Sequence, residues 1–319
     1  MTWLRFIPET TNIDFVGWRY YAFAVDGLLV VATVVSIFLQ GFNLGIDFTG
    51  GVLVEAKSAQ TIDIAQMRTE VRSLGFGEAQ IQYFGGGACD TPVNSCALVR
   101  VQPKANQPIE MVRNAIKAKL GPSFTLRRTE SISAKVSQEL FRDGVLATIL
   151  AVVMISVYVA VRFEWQYGIG ALVATGHDVF VTAGFYSFLG WCGYNIDFTI
   201  NSVAALLLLA GYSINDTVVV FDRIRENRRK YKRMSLPDMI NLSTNQIATR
   251  TTLVSAATAL SVVPLLFGGA VLLNFSVAIL FGILVGTFSS TYVAAALLLY
   301  LPAVGGGTGI GENPAAATA

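Results

Sequence analysis

The sequence predicts an α-helical integral membrane protein of six transmembrane helices, with an α+β domain of ferredoxin-like order inserted after the first helix. Of its 319 residues, 53% are apolar and only 14% are charged, a balance that is unusual for a soluble protein. Six runs are long enough to cross about 30 Å of hydrocarbon at 1.5 Å per residue. Between the first two runs, short strand-like and helix-like segments alternate.

The six spans are runs of about 20 mostly apolar residues, and the last is long enough to tilt or to pass the interface. Arg5 and Arg19 precede the first run, as basic residues precede the apolar part of a signal peptide. That run is long for a signal peptide and no small-x-small cleavage site follows near Gln40, so we expect it to remain as an anchor. The spans are Tyr21 to Gln40, Val145 to Val161, Ile169 to Trp191, Phe198 to Phe221, Ala248 to Phe267 and Leu272 to Leu301.

Lys and Arg residues in short loops predict the orientation. They cluster in residues 222–249, which the positive-inside rule places in the cytoplasm. Counting helices outward from this loop puts residues 1–20 and 302–319 in the cytoplasm, residues 41–140 in the periplasm and the last five helices in residues 141–301. The 302–319 tail is rich in Gly, Pro and Ala and is expected to be disordered. The basic residues of the loop are Arg223, Arg225, Arg228, Arg229, Lys230, Lys232 and Arg233.

Two polar segments beside the spans are compatible with helix starts. Residues Ser131 to Arg142 are polar and lead into the second span. Ser235-Leu-Pro-Asp238 resembles a capping box with Pro in the first turn, so a short helix from Asp238 to Ile247 is expected to continue into the fifth span.

The inserted domain has the order β-α-β-β-α-β, which indicates a ferredoxin-like module of roughly 90 residues. A glycine run at residues 85–87 and a loop with Pro92 and Asn94 separate the two central strands. The elements are a strand at Gly51 to Ala56, a helix at Ile62 to Leu74, strands at Gln80 to Phe84 and Ala97 to Gln102, a helix at Pro108 to Leu120 and a strand at Phe124 to Arg128.

Two of the three cysteines, Cys89 and Cys96, flank a polar loop in this domain. In an oxidising compartment they could form a disulfide that closes a hairpin, and two free thiols are the alternative. With Cys192 far away and no second Cys or His nearby, the spacing predicts no zinc site. We expect no metal and no cofactor.

Ionisable residues inside the spans are the strongest functional candidates, because each costs about 2.5 to 3.5 kcal/mol at a helix centre unless it is paired or hydrated. Asp216 lies about 8 Å inside the end of the fourth span, too deep for a short side chain to reach water. It is either a proton-binding group or a carboxylate permanently paired with a base. Arg250, at the same depth in the fifth span, is its natural partner or a simple cytoplasmic anchor.

Three further polar residues are candidate relay or lining groups. His177 and Asp178 lie in the middle of the third span and are expected to point about 100° apart on the helix, which argues against a catalytic dyad. Each could instead bond another helix. Asn215 neighbours Asp216, and Asp26, near the cytoplasmic end of the first span, is expected to be interfacial.

Small residues in the last span, Gly282 and Gly286, predict close helix packing. The chain has no Walker pattern and no Gly-Lys dipeptide, so it has no phosphate-binding loop of its own, and any energy comes from an ion gradient or from the ATP of a partner. A net charge of +2 is too small to indicate a nucleic-acid partner.

Four motifs resemble the SecF family of bacterial protein-export subunits, and the similarity covers nearly the whole chain. The first, Gly45-Ile-Asp47-Phe-Thr-Gly50-Gly51, follows the first span. The others are Gly211 to Asn227 at the fourth span, Thr249-Arg-Thr251 at the start of the fifth and Phe267-Gly-Gly269 at its end. One departure is Ser131 to Ser137, where Ser and Ala stand in place of the Gly and Pro of many relatives, which leaves the turn geometry there open.

This resemblance implies a multi-pass subunit of the bacterial inner membrane, related to resistance-nodulation-division transporters. Its implied partners are SecD, the Sec translocon channel with its accessory membrane subunits, the emerging preprotein and the lipid bilayer. By motif position, Asp216 and Arg250 match the residues tied to proton transport, and the partner Asp of the family lies on SecD. The implied function is the use of the proton-motive force in preprotein translocation and release, not an enzymatic reaction.

Two alternative functions are considered, a transporter with a different cargo and an enzyme. A proton-coupled exporter of a small molecule or lipid from the same superfamily would need a large apolar cavity in the exported domain, and that domain is small and polar. An intramembrane enzyme would use a Ser or Asp together with His177, but the chain has only one histidine and no second carboxylate lies at helical spacing from Asp216 within the span.

Overall fold

The computed structural model describes residues 11–76, 79–83, 89, 92–101, 108–194, 196–267 and 270–302. The predictions about Arg5, the glycine run at residues 85–87, the Gly268-Gly269 pair and residues 303–319 of the tail lie outside the described residues.

The first long helix, α1 (Arg19–Gln40), leads through a short helix, α2 (Ile46–Thr49), into the inserted domain. The domain follows the predicted order of strands and helices. Its elements are β1 (Gly51–Ser58), α3 (Ile64–Arg72), β2 (Ala79–Tyr83), β3 (Cys96–Val101), α4 (Ile109–Leu120) and β4 (Phe124–Ile132).

The sheet of the domain has the strand order β2-β3-β1-β4, and every neighbouring pair is antiparallel. Because β1 and β2 both run against the central β3, the arrangement is the split β-α-β of a ferredoxin-like fold, as predicted. Alternate residues of β1 are buried, which places Val52, Val54 and Ala56 on the core face. Helices α3 and α4 pack Met67 and Ile116 against that face.

The remaining long helices follow in order. They are α5 (Ala134–Arg162), α6 (Trp165–Trp191), α7 (Ile200–Lys230), α8 (Leu236–Val262, with a 3₁₀ segment Val263–Phe267) and α9 (Ala270–Ser289, continued by a π-helical segment Ser290–Ala294 and a last turn Ala295–Leu297).

Six helices of the described chain are long and apolar enough to cross a membrane: α1, α5, α6, α7, α8 and α9. The predicted fold class, six such helices with an inserted α+β domain, is therefore confirmed. Helices α6 and α7 bury the largest shares of their apolar windows and form the centre of the bundle, whereas α1, α5 and α8 leave most of theirs exposed.

The helix ends differ from the predicted spans, because helices continue past the hydrocarbon. The Ser133 hydroxyl accepts a hydrogen bond from Val136 N at 3.4 Å, so α5 begins directly after β4, inside the range predicted for the domain. Helix α7 runs on to Lys230, and the predicted basic loop is helical except for residues 231–235. Ser235 caps α8 as expected, accepting from Asp238 N at 3.3 Å.

Candidate functional site

Asp216 is buried where α7 meets α8 and α9. The residue is only 4% exposed, and its Oδ2 has no hydrogen-bond partner among the described residues. Ser255 of α8 is its hydrogen-bonding neighbour, and that hydroxyl accepts from Tyr212 at 2.8 Å and lies 2.7 Å from Thr287 Oγ1 of α9. Ser255 therefore connects this carboxyl group to hydroxyl groups of α7 and α9, and no ion pair joins Asp216 to a cation among the described residues.

Arg250 is exposed on α8 and acts on Asp216 through its charge rather than by contact. Among the ion pairs within 4.0 Å that the described residues form, none joins these two side chains. Arg250 instead lines a cavity of about 580 Å³ whose walls include the charged residues Asp222, Arg223 and Glu226. The direct contact expected from the sequence is thus not made in this structure.

Asn215 points away from Asp216. It is exposed and lines a mainly apolar cavity of about 740 Å³ between α7, α8 and α9, whose other walls include Leu208, Leu265 and Phe275. The structure therefore does not bring Asn215 into the surroundings of Asp216.

A second polar cluster forms around Asp178, which is fully buried on α6. Its Oδ2 accepts from Ser213 of α7 and, at 2.8 Å, from Ser289 of α9. Its Oδ1 lies 3.2 Å from Nδ1 of His177. The expectation that His177 and Asp178 point apart is therefore wrong, because the two side chains bend toward each other even though their Cβ directions diverge along the helix.

Asp26, which the sequence places near the cytoplasmic end of the first span, belongs to the same cluster and is buried against α6. The residue is 6% exposed, and its Oδ1 lies 3.8 Å from Nε2 of His177. Helix α1 packs along α6, and this pairing carries Asp26 into the bundle. No local sequence pattern could have indicated it, because the contact depends on which two helices are neighbours.

The two glycines of α9 lie at its contacts with α6 and α7. A Cβ at Gly282 would stand 2.5 Å from Cδ2 of Leu209, and one at Gly286 would stand 3.4 Å from Oδ2 of Asp178. The absence of a side chain at Gly282 thus leaves space for Leu209 of α7, and Gly286 packs against the polar cluster around Asp178.

The Gly45 to Gly51 motif joins α1, the α6–α7 connection and the start of α5. Gly45 N donates to Phe198 O at 2.8 Å, and a Cβ on Gly45 would stand 2.8 Å from the Thr199 side chain. The Asp47 carboxylate accepts from Ile200 N at 2.9 Å, at the positive N-terminal end of α7. Gly50 has φ +72°, and a Cβ on it would stand 3.2 Å from the Ala134 backbone; Gly51 then begins β1.

A buried ion pair that the sequence did not indicate ties the sheet to the bundle. Arg100 of β3 contacts Asp197 in the α6–α7 connection, and both residues are buried. Arg100 also donates to Leu44 O at 3.1 Å, and Asn43 donates to Asp197 at 2.6 Å. Burial raises the pKa of the Asp197 carboxyl group, and the charge of Arg100 opposes that rise.

Cys89 and Cys96 form a disulfide, with Cα atoms 5.2 Å apart, at the start of β3. Cys192, at the end of α6, is free and exposed. Among the residues that the structure describes, no group of three His, Cys, Asp or Glu side chains is arranged to hold a metal ion.

Comparison with known proteins gives the family. Residues 112–303 match the family described as "Protein export membrane protein SecD/SecF, C-terminal", and residues 35–62 match the "SecD/SecF GG Motif". The protein translocase subunit SecF of Cereibacter sphaeroides is 41% identical over 95% of this chain and 94% of its own length. The chain belongs to the SecF family. The SecF subunit of Rhodobacter capsulatus is 37% identical over 93% of this chain and 91% of its own length.

Two solved SecDF structures resemble the fold of this chain. The crystal structure of SecDF, a translocon-associated membrane protein from Thermus thermophilus, is 33% identical, with a TM-score of 0.80 over 94% of this chain. A second SecDF structure, in a super-membrane-facing form, has a TM-score of 0.65 and 34% identity over the same share. This chain spans 39% of the length of each SecDF chain. The predicted resemblance to the SecF family is confirmed.

Proposed function

We propose that this SecF-family chain uses the proton-motive force to assist preprotein translocation and release through the Sec translocon, with Asp216 as its proton-binding group and Arg250 as the cation that responds to it. The observation that carries the proposal is the Asp216 carboxyl group, buried inside a bundle helix without a salt bridge among the described residues. A group in that position is stable when neutral and costly when charged, so it takes up a proton readily.

Arg250 suits the second role because it never loses its own proton. It lines the cavity beside α7 that also contains Asp222, Arg223 and Glu226, and it acts on Asp216 through its charge. When Asp216 releases its proton, the new negative charge attracts the guanidinium group, and when the proton returns, that attraction ends. The proposed step is therefore an alternation between an ion pair and the separated arrangement of this structure.

The energy available is sufficient for a conformational change. One charge that crosses the membrane is worth about 2.3 kcal/mol per 100 mV, so one proton moving down roughly 180 mV supplies about 4 kcal/mol. That amount changes a two-state equilibrium by roughly 10³-fold, at about 1.4 kcal/mol for each factor of ten.

The connection at the far end of α7 supports coupling to the inserted domain. Helix α7 carries Asp216, and its first turn is bonded to Asp47 of the glycine motif. The neighbouring Asp197 is bonded to Arg100 in the sheet. A shift of α7 on protonation would therefore be transmitted to the domain, whose swing catches and releases emerging polypeptide.

Contacts of the N-terminal segment support the proposed sidedness. The Asn245 side chain of α8 accepts a hydrogen bond from Ile13 N and donates one to Ile13 O, each at 2.8 Å. Asn241 accepts from Val16 N at 2.8 Å. The segment before α1 therefore packs beside the basic connection between α7 and α8. We place both termini and this connection in the cytoplasm, and the disulfide-bonded domain in the periplasm of an inner-membrane protein.

The partners are SecD, which carries the second carboxyl group of the relay, and the Sec translocon with its accessory membrane subunits. Helices α1, α5 and α8 leave most of their apolar windows exposed, which supplies surface for other membrane helices and for lipid. Nothing in the described site favours the exporter of small molecules or lipids as a second candidate.

Reconstitution tests the proposal. Vesicles containing this chain, its SecD partner and the translocon are given a proton gradient, and release of a model preprotein is timed. We expect Asp216→Asn to abolish the gradient-dependent part of the rate and Asp216→Glu to retain some of it, because glutamate still titrates. Asp143→Asn is the matched control, since Asp143 is exposed on α5 and its ion pair within the described residues is with Arg142, at 3.9 Å. Gradient-dependent release at the wild-type rate in Asp216→Asn would refute the proposal.

A further inference from the structure

In the polar cluster between α1 and α6, the Asp26 carboxyl group and one ring nitrogen of His177 face each other, both without a hydrogen-bond partner among the described residues. Neither Asp26 oxygen has a hydrogen-bond partner among the described residues, and neither does Nε2 of His177. The two groups are 3.8 Å apart, with the Asp26 side chain 9% exposed and the His177 side chain 11% exposed. A rotation that moves them about 1 Å closer would give an ordinary hydrogen bond.

The other side of the imidazole ring is fixed. Asp178 accepts from two hydroxyl groups at Oδ2, those of Ser213 and Ser289, so its second oxygen is left to face the ring. Because these donors come from two other helices, they fix the orientation of the carboxylate, and Oδ1 remains as the acceptor that faces the ring. Nδ1 of His177, at 3.2 Å, therefore carries a hydrogen and donates it to Asp178. This bond sets the tautomer and directs Nε2 toward Asp26.

The charge balance then requires one more proton at the pair. With Asp178 ionised, a neutral His177 and an ionised Asp26 would place two negative charges in the bundle with no compensating cation. One additional proton, either on Asp26 or on Nε2, reduces the net charge of the cluster to −1. Transfer between the two positions, from the Asp26 carboxyl oxygen to Nε2 or back, leaves that total unchanged.

Every charged group that acts on the pair belongs to the cluster. In the described structure, Asp26 is influenced by His177 and Asp178, and His177 by Asp26 and Asp178. The packed helices α7 and α9 contribute only the hydroxyl groups of Ser213 and Ser289 to Asp178. No lysine or arginine of the described chain pairs with any of the three.

We propose that Asp26 and His177 form a second proton-binding site in the bundle, separate from Asp216, in which Asp178 is the positioning residue that orients the imidazole ring. Ser213 precedes Asp216 by one helical turn on α7, and Ser289 directly precedes the π-helical segment of α9. Such segments are frequent at functional sites. The existence of the site is independent of transport, whereas its contribution to transport rests on the proposed function.

The composition of the chain makes the site directly observable, because His177 is its only histidine. Protein labelled with ¹⁵N-histidine and free of any His-tag is placed in lipid bilayers, and the two ring nitrogens are followed by solid-state NMR across about pH 5 to 8. We expect Nδ1 to stay protonated throughout and the Nε2 signal to move between its protonated and unprotonated positions. An Nε2 signal that stays in one state over the whole range would overturn the proposal.

Substitutions assign the partner. Asp26→Asn removes the facing negative charge, so the Nε2 transition should move to lower pH by about one unit or more, since an opposite charge at this distance is worth about one to three units. Asp143→Asn is the matched control and should leave the transition in place. An Asp26→Asn variant whose transition coincides with that of the wild type would contradict the proposal, and the wild-type titration is informative even if this variant does not fold.

One further variant separates this proposal from the proposed function. Asp216→Asn should leave the Nε2 transition of His177 within a few tenths of a pH unit, because Asp216 is not among the groups that act on it. If that variant loses gradient-driven release but keeps the transition, the two sites are distinct. If the transition disappears in Asp216→Asn, the site is not separate from Asp216 and the inference is wrong.

Discussion

Replacing Asp197 with alanine tests how the inserted domain is held to the membrane bundle. In the intact chain the Arg100 side chain is only 6% exposed, and the substitution leaves it with two neutral acceptors, Leu44 O and Gln80 Oε1. Breaking a buried pair by removing one partner costs about 3 to 5 kcal/mol. Because the sheet domain has a core of its own, we expect this loss to appear as detachment of the domain and not as unfolding of the chain.

The two members of the pair should not be equivalent. Arg100 cannot lose its proton, so Asp197→Ala should lie at the upper end of that range. In Arg100→Met the remaining Asp197 can be neutralised by protonation, since burial already raises its pKa, and this variant should lie at the lower end. At about 1.4 kcal/mol per factor of ten, the detached population rises roughly 10²- to 10³-fold or more.

Electron spin resonance distances measure the attachment. One spin label goes on the native Cys192, which is free and exposed, and the other on Lys117→Cys, which is exposed on α4. We expect one narrow distance distribution in the otherwise unchanged chain and a broad one in Asp197→Ala. Glu130→Gln is the matched control, because the Arg128 to Glu130 pair is exposed and such pairs contribute at most about 1 kcal/mol. A distribution in Asp197→Ala as narrow as in the control would refute this reasoning.

Three smaller predictions follow from other contacts. Gly282→Ala should lower the free energy of unfolding by about 1 to 3 kcal/mol, and adding Leu209→Ala should restore part of that loss. Gly211→Ala is the control, because a Cβ there has open space around it, and it should leave the midpoint of thermal unfolding in detergent unchanged. Asp47→Ala should cost about 0.5 to 2 kcal/mol in denaturant unfolding, and Asp47→Asn less, because the bond to Ile200 N survives without its charge. The Gly17 N–H and the Asn241 amide lower the pKa of Asp14, so its contribution to docking of the N-terminal segment is present above about pH 3.9 and is lost as pH falls through the lower folded-state pKa. A spin label at the exposed position of Asn12, introduced as Asn12→Cys, should therefore become mobile on acidification, and in Asp14→Ala it should be mobile at every pH.

The sequence predicted the elements well, because their signals are local. Apolar run length indicated all six long helices, and strand alternation indicated the sheet whose β1 buries every second residue. Ser235 was recognised as a helix start from its own spacing to Asp238. The start of α5 at Ala134 falls inside the polar segment Ser131 to Arg142 that was predicted to lead into the second span. The end of α7 was placed at Phe221, short of Lys230, because hydropathy reports the membrane and not the hydrogen-bonded extent of a helix.

Residues of the candidate site could be predicted from the sequence only where a single residue was unusual in its own segment. Asp216 stood out because a carboxyl group deep in an apolar run is unusual in itself. The contact of Asp26 with His177 was not predicted, because it depends on α1 packing along α6. Arg100 was missed because an arginine in a strand is ordinary until Asp197 is brought beside it. The sequence also could not predict that Asp216 and Arg250 are separated. Equal depth in two helices does not determine the directions of the two side chains.

The central claim is that Asp216 binds a proton that moves with the gradient, and proton uptake tests it most directly. Vesicles that contain this chain with SecD, its proposed partner, are loaded with a pH-sensitive dye, a membrane potential is imposed and the internal pH is recorded. We predict proton flux in the wild type and in Asp143→Asn, and none above the protein-free background in Asp216→Asn. Flux in Asp216→Asn equal to that of the wild type would contradict the claim.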